Sequence, residues 1–390
     1  MRIIVATDQW SPDVIGGSAR VARATAVQFA RLGHHVVVVA PAVPGRPAVG
    51  HDAGVELHRS VKRFGLPQSV ADVVATWRWA RRRPRPDVLV AHQATNAVGL
   101  LAAQRGVPLV YVFHASAPLE QRFVRRRLTP VRRAVALLLD PLLVLLERIA
   151  VRRAETVAVL SEYSRRLLLA RHPSVSDRIA VVRGGVDYDR FASGDGATAR
   201  AAYDIPDDRP FVLTVRRLEP RMGVEELLRA ADLLIRKGVQ LTVGVAGAGE
   251  TGPALERLAR ELAIDEHVRF FGRVPDTDLP GLYAAADLFV LPTVAYEGFG
   301  MSTVEALAAG TPVVGTAVGA TPEILTPLDP QLVSPSTLPD ELAATIETAL
   351  ASATDDRRER CAAYARERFS WETAIESWQA AVVRAAGSKA

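Results

Sequence analysis

Short runs of β-branched and aliphatic residues recur along this chain with amphipathic stretches between them, and that alternation leaves few folds open. RIIVAT (2–7), HVVVVA (35–40), DVLVAH (87–92), PLVYVFH (108–114), TVAVLS (156–161) and IAVVRG (179–184) are continuous apolar runs, as expected of strands buried on both faces. Helical periodicity fills gaps between them at 18–32, 70–83 and 93–105. Parallel strands need a crossover of a dozen or more residues, usually a helix, so this rhythm predicts a parallel sheet covered by helices. A second series begins at FVLTVRR (211–217) and continues with LTVGVAG (241–247), VRFFGRV (268–274), LFVLPT (288–293) and PVVGTA (312–317). The prediction is α/β, with two doubly wound sheets.

Length agrees with two sheets, because 390 residues exceed the ~250–300 at which a single core stops growing. Between the two series lies RFASGDGATARAAYDIPDDRP (190–210), rich in Gly, Asp and Pro and without periodicity. The expected organisation is a first domain at 1–190, a linker at 191–210, a second domain at 211–368 and a closing helix at 369–390 that crosses back to the first domain. Trp371 and Trp378 stand seven apart on one face of that helix. Open parallel sheets bind ligands beyond the carboxyl ends of their strands, so with two of them the expected site is a cleft between domains.

Hydrophobic residues make up 49% of the chain and charged residues 23%, which excludes disorder. Cys361 is the sole cysteine; it excludes an internal disulfide framework and suits a reducing cytoplasm. The opening MRIIVATDQW lacks the charged, apolar and cleavage regions of a signal peptide, so the protein is expected to stay in the cell. The longest apolar stretch, 134–150, is broken by Asp140, Pro141 and Glu147 and falls short of the ~20 residues that span a bilayer. A net charge of +5 rests on arginine, lysine standing only at Lys62, Lys237 and Lys389. No nucleic-acid motif accompanies the charge, and no nucleic-acid partner is expected. The run Arg122, Arg125, Arg126, Arg127, Arg132 and Arg133, followed by the apolar stretch, has two readings: a solvated face before a buried helix, or a surface for anionic lipid.

The strongest motif is TVAYEGFGMSTVEALAAGTPVV, where Glu297 and Glu305 flank a Gly-Phe-Gly turn that opens a helix. The first amides of a helix have no internal partner and suit an anion such as a diphosphate. Two carboxylates beside that anion make sense if each accepts from hydroxyls, one on a sugar and one on a ribose. In the first half, Gly16 and Gly17 follow the first strand, where backbone can approach a ligand closely, and Ser18 is placed to cap the helix after them.

The whole pattern resembles the family-4 glycosyltransferases of the GT-B fold, two Rossmann-like domains facing each other across a cleft. The likeness covers nearly the full chain: the Gly16-Gly17 loop, the turn from Arg31 to Val36, Ser161-Glu162, Gly185-Val186-Asp187, VRRLEPRMGVEELL (215–228), FFGRVPD (270–276) and the Glu297/Glu305 string. It implies an acceptor domain first and a nucleotide-sugar domain second. It assigns the donor-sugar hydroxyls to Glu297, the ribose to Glu305, and the phosphates to the backbone from Gly298 through Phe299 and Gly300 to Met301. Arg217 is expected on the diphosphate, Arg273 and Val274 beside the donor, and His114 near the transferred sugar. The family's Lys on the diphosphate falls at Met222, so Arg221 or Arg216 must stand in for it. The implied chemistry is transfer with retention at the anomeric carbon from a UDP- or GDP-linked sugar to a small-molecule acceptor, without metal or cofactor. Catalytic weight falls on Glu297, Arg217 and His114.

Other readings come from the same residues. A lipid-linked acceptor would bring the arginine run to the inner membrane face, and a nucleotide-sugar binding protein without turnover is suggested by Met222. AGAGETG (246–252) matches a dinucleotide fingerprint, yet the next strand ends without the acidic residue that grips a ribose. Asp187-Tyr188-Asp189 and Asp276-Thr277-Asp278 spell a metal motif. Asp276 is instead expected to cap the helix that follows.

Overall fold

The computed structural model describes residues 1–13, 16–60, 68–114, 130–352 and 354–387, with side chains in the helix that begins at Pro130 described from residue 140 onward. Two compact units form, one from Met1–Gly185 with Ala374–Ala390 and one from Val186–Thr373. Each is built around its own parallel sheet, as the alternation of strands and helices predicts.

The first unit's strands are β1 (Arg2–Ala6), β2 (His35–Pro41), β3 (Val49–Asp52), β4 (Val55–Ser60), β5 (Val88–Ala91), β6 (Leu109–Phe113), β7 (Thr156–Val159) and β8 (Ile179–Val181). Their order is β3-β4-β2-β1-β5-β6-β7-β8. Ile4 of β1 lies opposite Val37 on one side and Leu89 on the other, and all three are buried, as continuous apolar runs require. Among the described residues only β3 runs antiparallel, as a hairpin with β4 whose two-residue turn takes positive φ at Ala53 (47°) and Gly54 (87°). Neither strand is apparent from the apolar pattern, because VGHD and VELHRS are short and mixed.

The second unit's strands are β9 (Phe211–Val215), β10 (Thr242–Ala246), β11 (Val268–Gly272), β12 (Leu288–Leu291), β13 (Val313–Thr316) and β14 (Val333–Ser334). They lie in the order β11-β10-β9-β12-β13-β14, all parallel. The winding reverses between β9 and β12, where helices leave the sheet to opposite faces and a crevice opens beyond the strand ends.

Three expectations change. The segment 191–210 lies within the second unit, with two short helices, Tyr188–Ala192 and Gly196–Ala202, started by the side chains of Asp187 and Asp195. Composition suggested a linker because helices this short carry no readable period. The apolar stretch lies in a helix, Pro130–Arg153, and of its described side chains, from residue 140 onward, Leu146 and Ala150 are buried while Leu145 is half-exposed; the arginine run at 122–133 lies outside the described side chains. Glu147, an expected interruption, is itself buried, with His172 at 3.2 Å and Arg171 at 3.5 Å. The helix Leu279–Ala285 begins after Asp278 rather than Asp276, and Asp278 accepts from Tyr203 Oη at 2.8 Å instead of capping. Among the described residues, no helix is long and apolar enough to cross a membrane.

Candidate active site

The reversal point of the second sheet is where its charged side chains gather. Arg216 follows β9 directly, and Thr293 and Glu297 follow β12, so neighbouring strands bring together residues 77 and 81 apart in sequence. Arg216 donates from Nη1 to Thr293 Oγ1 at 2.6 Å and from Nη2 to Glu297 Oε2 at 2.7 Å. Thr293 in turn donates to the same Oε2 at 3.1 Å. Both donors fall on one oxygen; among the described residues, none reaches Oε1. The arginine side chain is 5% exposed and the glutamate 14%. Burial pulls the Arg216 pKa down from its ordinary value, and the Glu297 charge opposes that shift. A buried pair of this kind holds geometry more than it adds stability, since desolvating two charges offsets much of their attraction.

The backbone around Glu297 is fixed from both sides. Tyr296 has φ 57°, a left-handed conformation costing a side-chain-bearing residue ~1–2 kcal/mol. Arg221 Nη1 donates to the Tyr296 carbonyl at 3.0 Å, and the Arg221 carbonyl accepts from Val294 N at 3.0 Å. On the far side, Ala320 N donates to the Glu297 carbonyl at 2.9 Å, and a Cβ on Gly319 would lie 2.7 Å from Glu297 N. After Glu297 the chain passes Gly298 and Phe299 and enters the helix Met301–Ala308 through Gly300, at φ 91°. Phe299 is buried against Phe369, which anchors the turn whose amides open toward the helix start.

The remaining expected donor residues are dispersed. The Arg217 side chain is 45% exposed and pairs with Glu219 at 3.1 Å. Arg273 is exposed just past β11, and Val274 is buried beside it. Glu305 lies on the inner face of its helix, 2% exposed, and accepts from Tyr283 Oη at 3.0 Å, so any ligand hydroxyl would share that carboxylate with a phenol. The glycines of AGAGETG serve packing: a side chain on Gly247 would collide with the Arg216 carbonyl and one on Gly249 with that of Leu218. They let the loop after β10 lie against the chain leaving β9.

In the first unit, the strand ends carry a second polar group. Gly16 precedes the helix Gly17–Arg31 with extended backbone, and a Cβ there would come within 3.2 Å of Gln9 Oε1. Ser18 does not cap that helix; its hydroxyl donates to Gln9 Oε1 at 3.0 Å. His114, at the end of β6, stacks on His92, at the end of β5, with ring centroids 5.2 Å apart and Nε2 of His114 2.9 Å from Nδ1 of His92. Burial lowers the His114 pKa to about 4 and that of His92 well below its ordinary value, so both rings are neutral near pH 7. A shared proton between neutral rings makes one the donor and the other the acceptor.

Sequence reasoning singled out Glu297 and named Arg216 as one of two stand-ins for a missing cation; Thr293, Tyr296 and His92 went unnoticed. The signal for the last was present, in a second strand-end histidine. Among the described residues, no three His, Cys, Asp or Glu side chains cluster as a metal ion would need.

Residues 15–190 match the pattern described as Glycosyltransferase Family 4, and residues 195–368 that of Glycosyl transferases group 1. A D-inositol 3-phosphate glycosyltransferase of Mycolicibacterium smegmatis is 34% identical over 313 residues, 76% of this chain and 70% of its own. The sucrose-phosphate synthase structure from Thermosynechococcus elongatus superposes with TM-score 0.80 at 22% identity, covering 97% of each chain. Anabaena HepE in complex with UDP and glucose superposes with TM-score 0.75 at 22% identity, covering 97% of this chain and 98% of that one.

Proposed function

The chain belongs to glycosyltransferase family 4, and from that premise we propose that it moves a sugar from a UDP- or GDP-linked donor, held by the second unit, to a small hydroxylated acceptor. The observation that carries this reading is the Glu297 carboxylate. One oxygen is held by Arg216 and Thr293 while the other stays open beside the start of the helix Met301–Ala308. That arrangement suits a sugar hydroxyl on Oε1 and a diphosphate on the helix amides. Glu305 serves the ribose together with Tyr283, and Arg217, half-exposed on its strand end, turns from Glu219 to the phosphates.

Retention follows from attack on the face the diphosphate leaves. The acceptor oxygen bonds to the anomeric carbon as the bond to the diphosphate oxygen breaks, and the acceptor proton passes to that departing oxygen. The protein stabilises charge on the leaving group and orients the sugar, and neither metal nor cofactor takes part. The inositol phosphate in the name of the Mycolicibacterium relative makes phosphorylated polyols the first acceptors to try, with a lipid-linked acceptor as the alternative.

The test is release of nucleoside diphosphate from a panel of UDP-, GDP-, ADP- and dTDP-sugars, with and without inositol 3-phosphate and other small polyols. Glu297→Gln should abolish transfer while free nucleoside diphosphate still binds. Equal loss of affinity for donor and free nucleotide removes Glu297 from the sugar, and no release with any donor defeats the transferase reading.

A further inference from the structure

In the first sheet the winding reverses between β1 and β5, with β2 and β4 to one side and β6, β7 and β8 to the other. His92 leaves β5 at that reversal, where a parallel sheet receives a ligand, and His114 leaves the neighbouring β6. One hydrogen bond joins the two rings, between Nδ1 of His92 and Nε2 of His114 at 2.9 Å, and it holds a single proton. Which ring contributes that proton decides what His114 offers at its other nitrogen. His92 is 2% exposed, and among the described residues none bonds its buried Nε2. Were His114 the donor, the neutral His92 would carry its own proton on Nε2, as a buried N–H without an acceptor. Were His92 the donor, that Nε2 would be a bare lone pair. A buried N–H left unpaired is the rarer and costlier of the two, which makes His92 the donor. A neutral ring that accepts at Nε2 carries its proton at Nδ1. His114 is partly exposed, and among the described residues none bonds its Nδ1.

We propose that His92 is a positioning residue: it donates from Nδ1 to His114 Nε2 and thereby fixes His114 as a neutral donor, through Nδ1–H, to an acceptor oxygen of the transferred sugar. The tautomer follows from the pair alone; its use on the sugar rests on the transferase reading. A lone histidine at a strand end could turn its ring and take either tautomer. The stack, with centroids 5.2 Å apart and planes 20° from parallel, removes the first freedom, and the hydrogen bond removes the second. Two buried imidazoles, one with an unpaired nitrogen, fill this space at a cost that apolar side chains would avoid, as expected where function chooses the residue.

Nitrogen-15 NMR of histidine-labelled protein reads the tautomers directly, because protonated and bare ring nitrogens differ widely in shift; His92→Phe and His114→Gln identify the signals. Near pH 7 both rings should carry their proton on Nδ1 and stay bare at Nε2. A proton on His114 Nε2 overturns the proposal. Transfer rates in His92→Phe, His114→Gln and the double variant test what the pair is for. Loss of one orienting hydrogen bond should lower kcat/KM ~5–10-fold in His92→Phe, with affinity for free nucleoside diphosphate as in the wild type. Because His92 acts through His114, the double variant should be no slower than His114→Gln alone, whereas a merely structural role would make the two losses multiply. Multiplying losses, or a wild-type rate in His92→Phe, overturn the positioning role. Should His92→Phe fail to fold, His92→Asn takes its place in the cycle. Absence of transfer by the wild type from any donor instead defeats the transferase reading, and the ring-nitrogen signals still decide the tautomer.

Discussion

Glu297 shows how much a single residue's meaning depends on neighbours that sequence keeps distant. Its motif was legible, because a glutamate before a glycine turn and a helix is a local pattern. Its charged partner was not, since Arg216 meets it only through the pairing of β9 with β12, and Thr293, four residues away on the same strand end, is placed by a loop with no readable period. The left-handed Tyr296 had no signal at all, being neither glycine nor asparagine. Arg217 stands apart in being half-exposed, and its replacement by Ala should lower kcat ~10²–10³-fold, the effect of losing one charge-stabilising donor in an active site; a wild-type rate would remove it from the diphosphate. The histidine pair gives a pH dependence. With His114 lowered from 6.5 to about 4, and His92 also lowered, the unfolded chain binds protons more readily than the folded one. The pair's contribution to stability is therefore complete above pH 6.5 and lost as pH falls toward 4. Urea unfolding at several pH values should show His114→Gln losing less stability than the wild type across that window. Parallel acid limbs would contradict the placement of the pair in the interior.

At the scale of elements, strands buried on both faces were plain from their apolar runs, whereas elements too short to show a period had to be seen. The β3–β4 hairpin is one, although Ala53-Gly54 between VGHD and VELHRS was a usable turn signal. The short helices of 188–202 are another; their starts were marked by Asp187 and Asp195, each accepting from an amide three residues on. Loops carry the tightest constraints. Gly319, at φ 65°, lies against the Glu297 backbone, whereas Gly33, at φ 81°, has nothing within 4 Å of its missing Cβ. Gly33→Ala should therefore cost only backbone strain, ~1–2 kcal/mol, without loss of turnover. Gly319→Ala adds a collision that must displace Glu297, so its transfer rate should fall well beyond what its thermal unfolding shift explains. Equal rates in the two variants would show that the Glu297 backbone position is not what the reaction needs.

For the molecule as a whole, the decisive feature is that the first unit is built from two separated pieces of chain. The helix Trp371–Gly387 buries Trp378 fully, and its indole donates to the Arg183 carbonyl at 2.9 Å across 195 residues of sequence. Trp378→Ala should cost ~3–5 kcal/mol, the usual range for emptying so large a buried site. In native-state hydrogen exchange the loss should fall on β1 and β5, while β9 and β12 keep their protection; equal loss in both sheets would contradict the division into units. Order of synthesis gives this division a further meaning. Ribosomes add roughly 5–20 residues per second, and domains generally fold as they emerge. The stretch Val186–Thr373 thus takes on the order of 10–40 s to appear. Throughout that interval the first sheet waits on the ribosome without the helix that covers Arg183, its apolar seam available to chaperones. The second unit is continuous and can close as soon as it is made. The unit translated first is completed last.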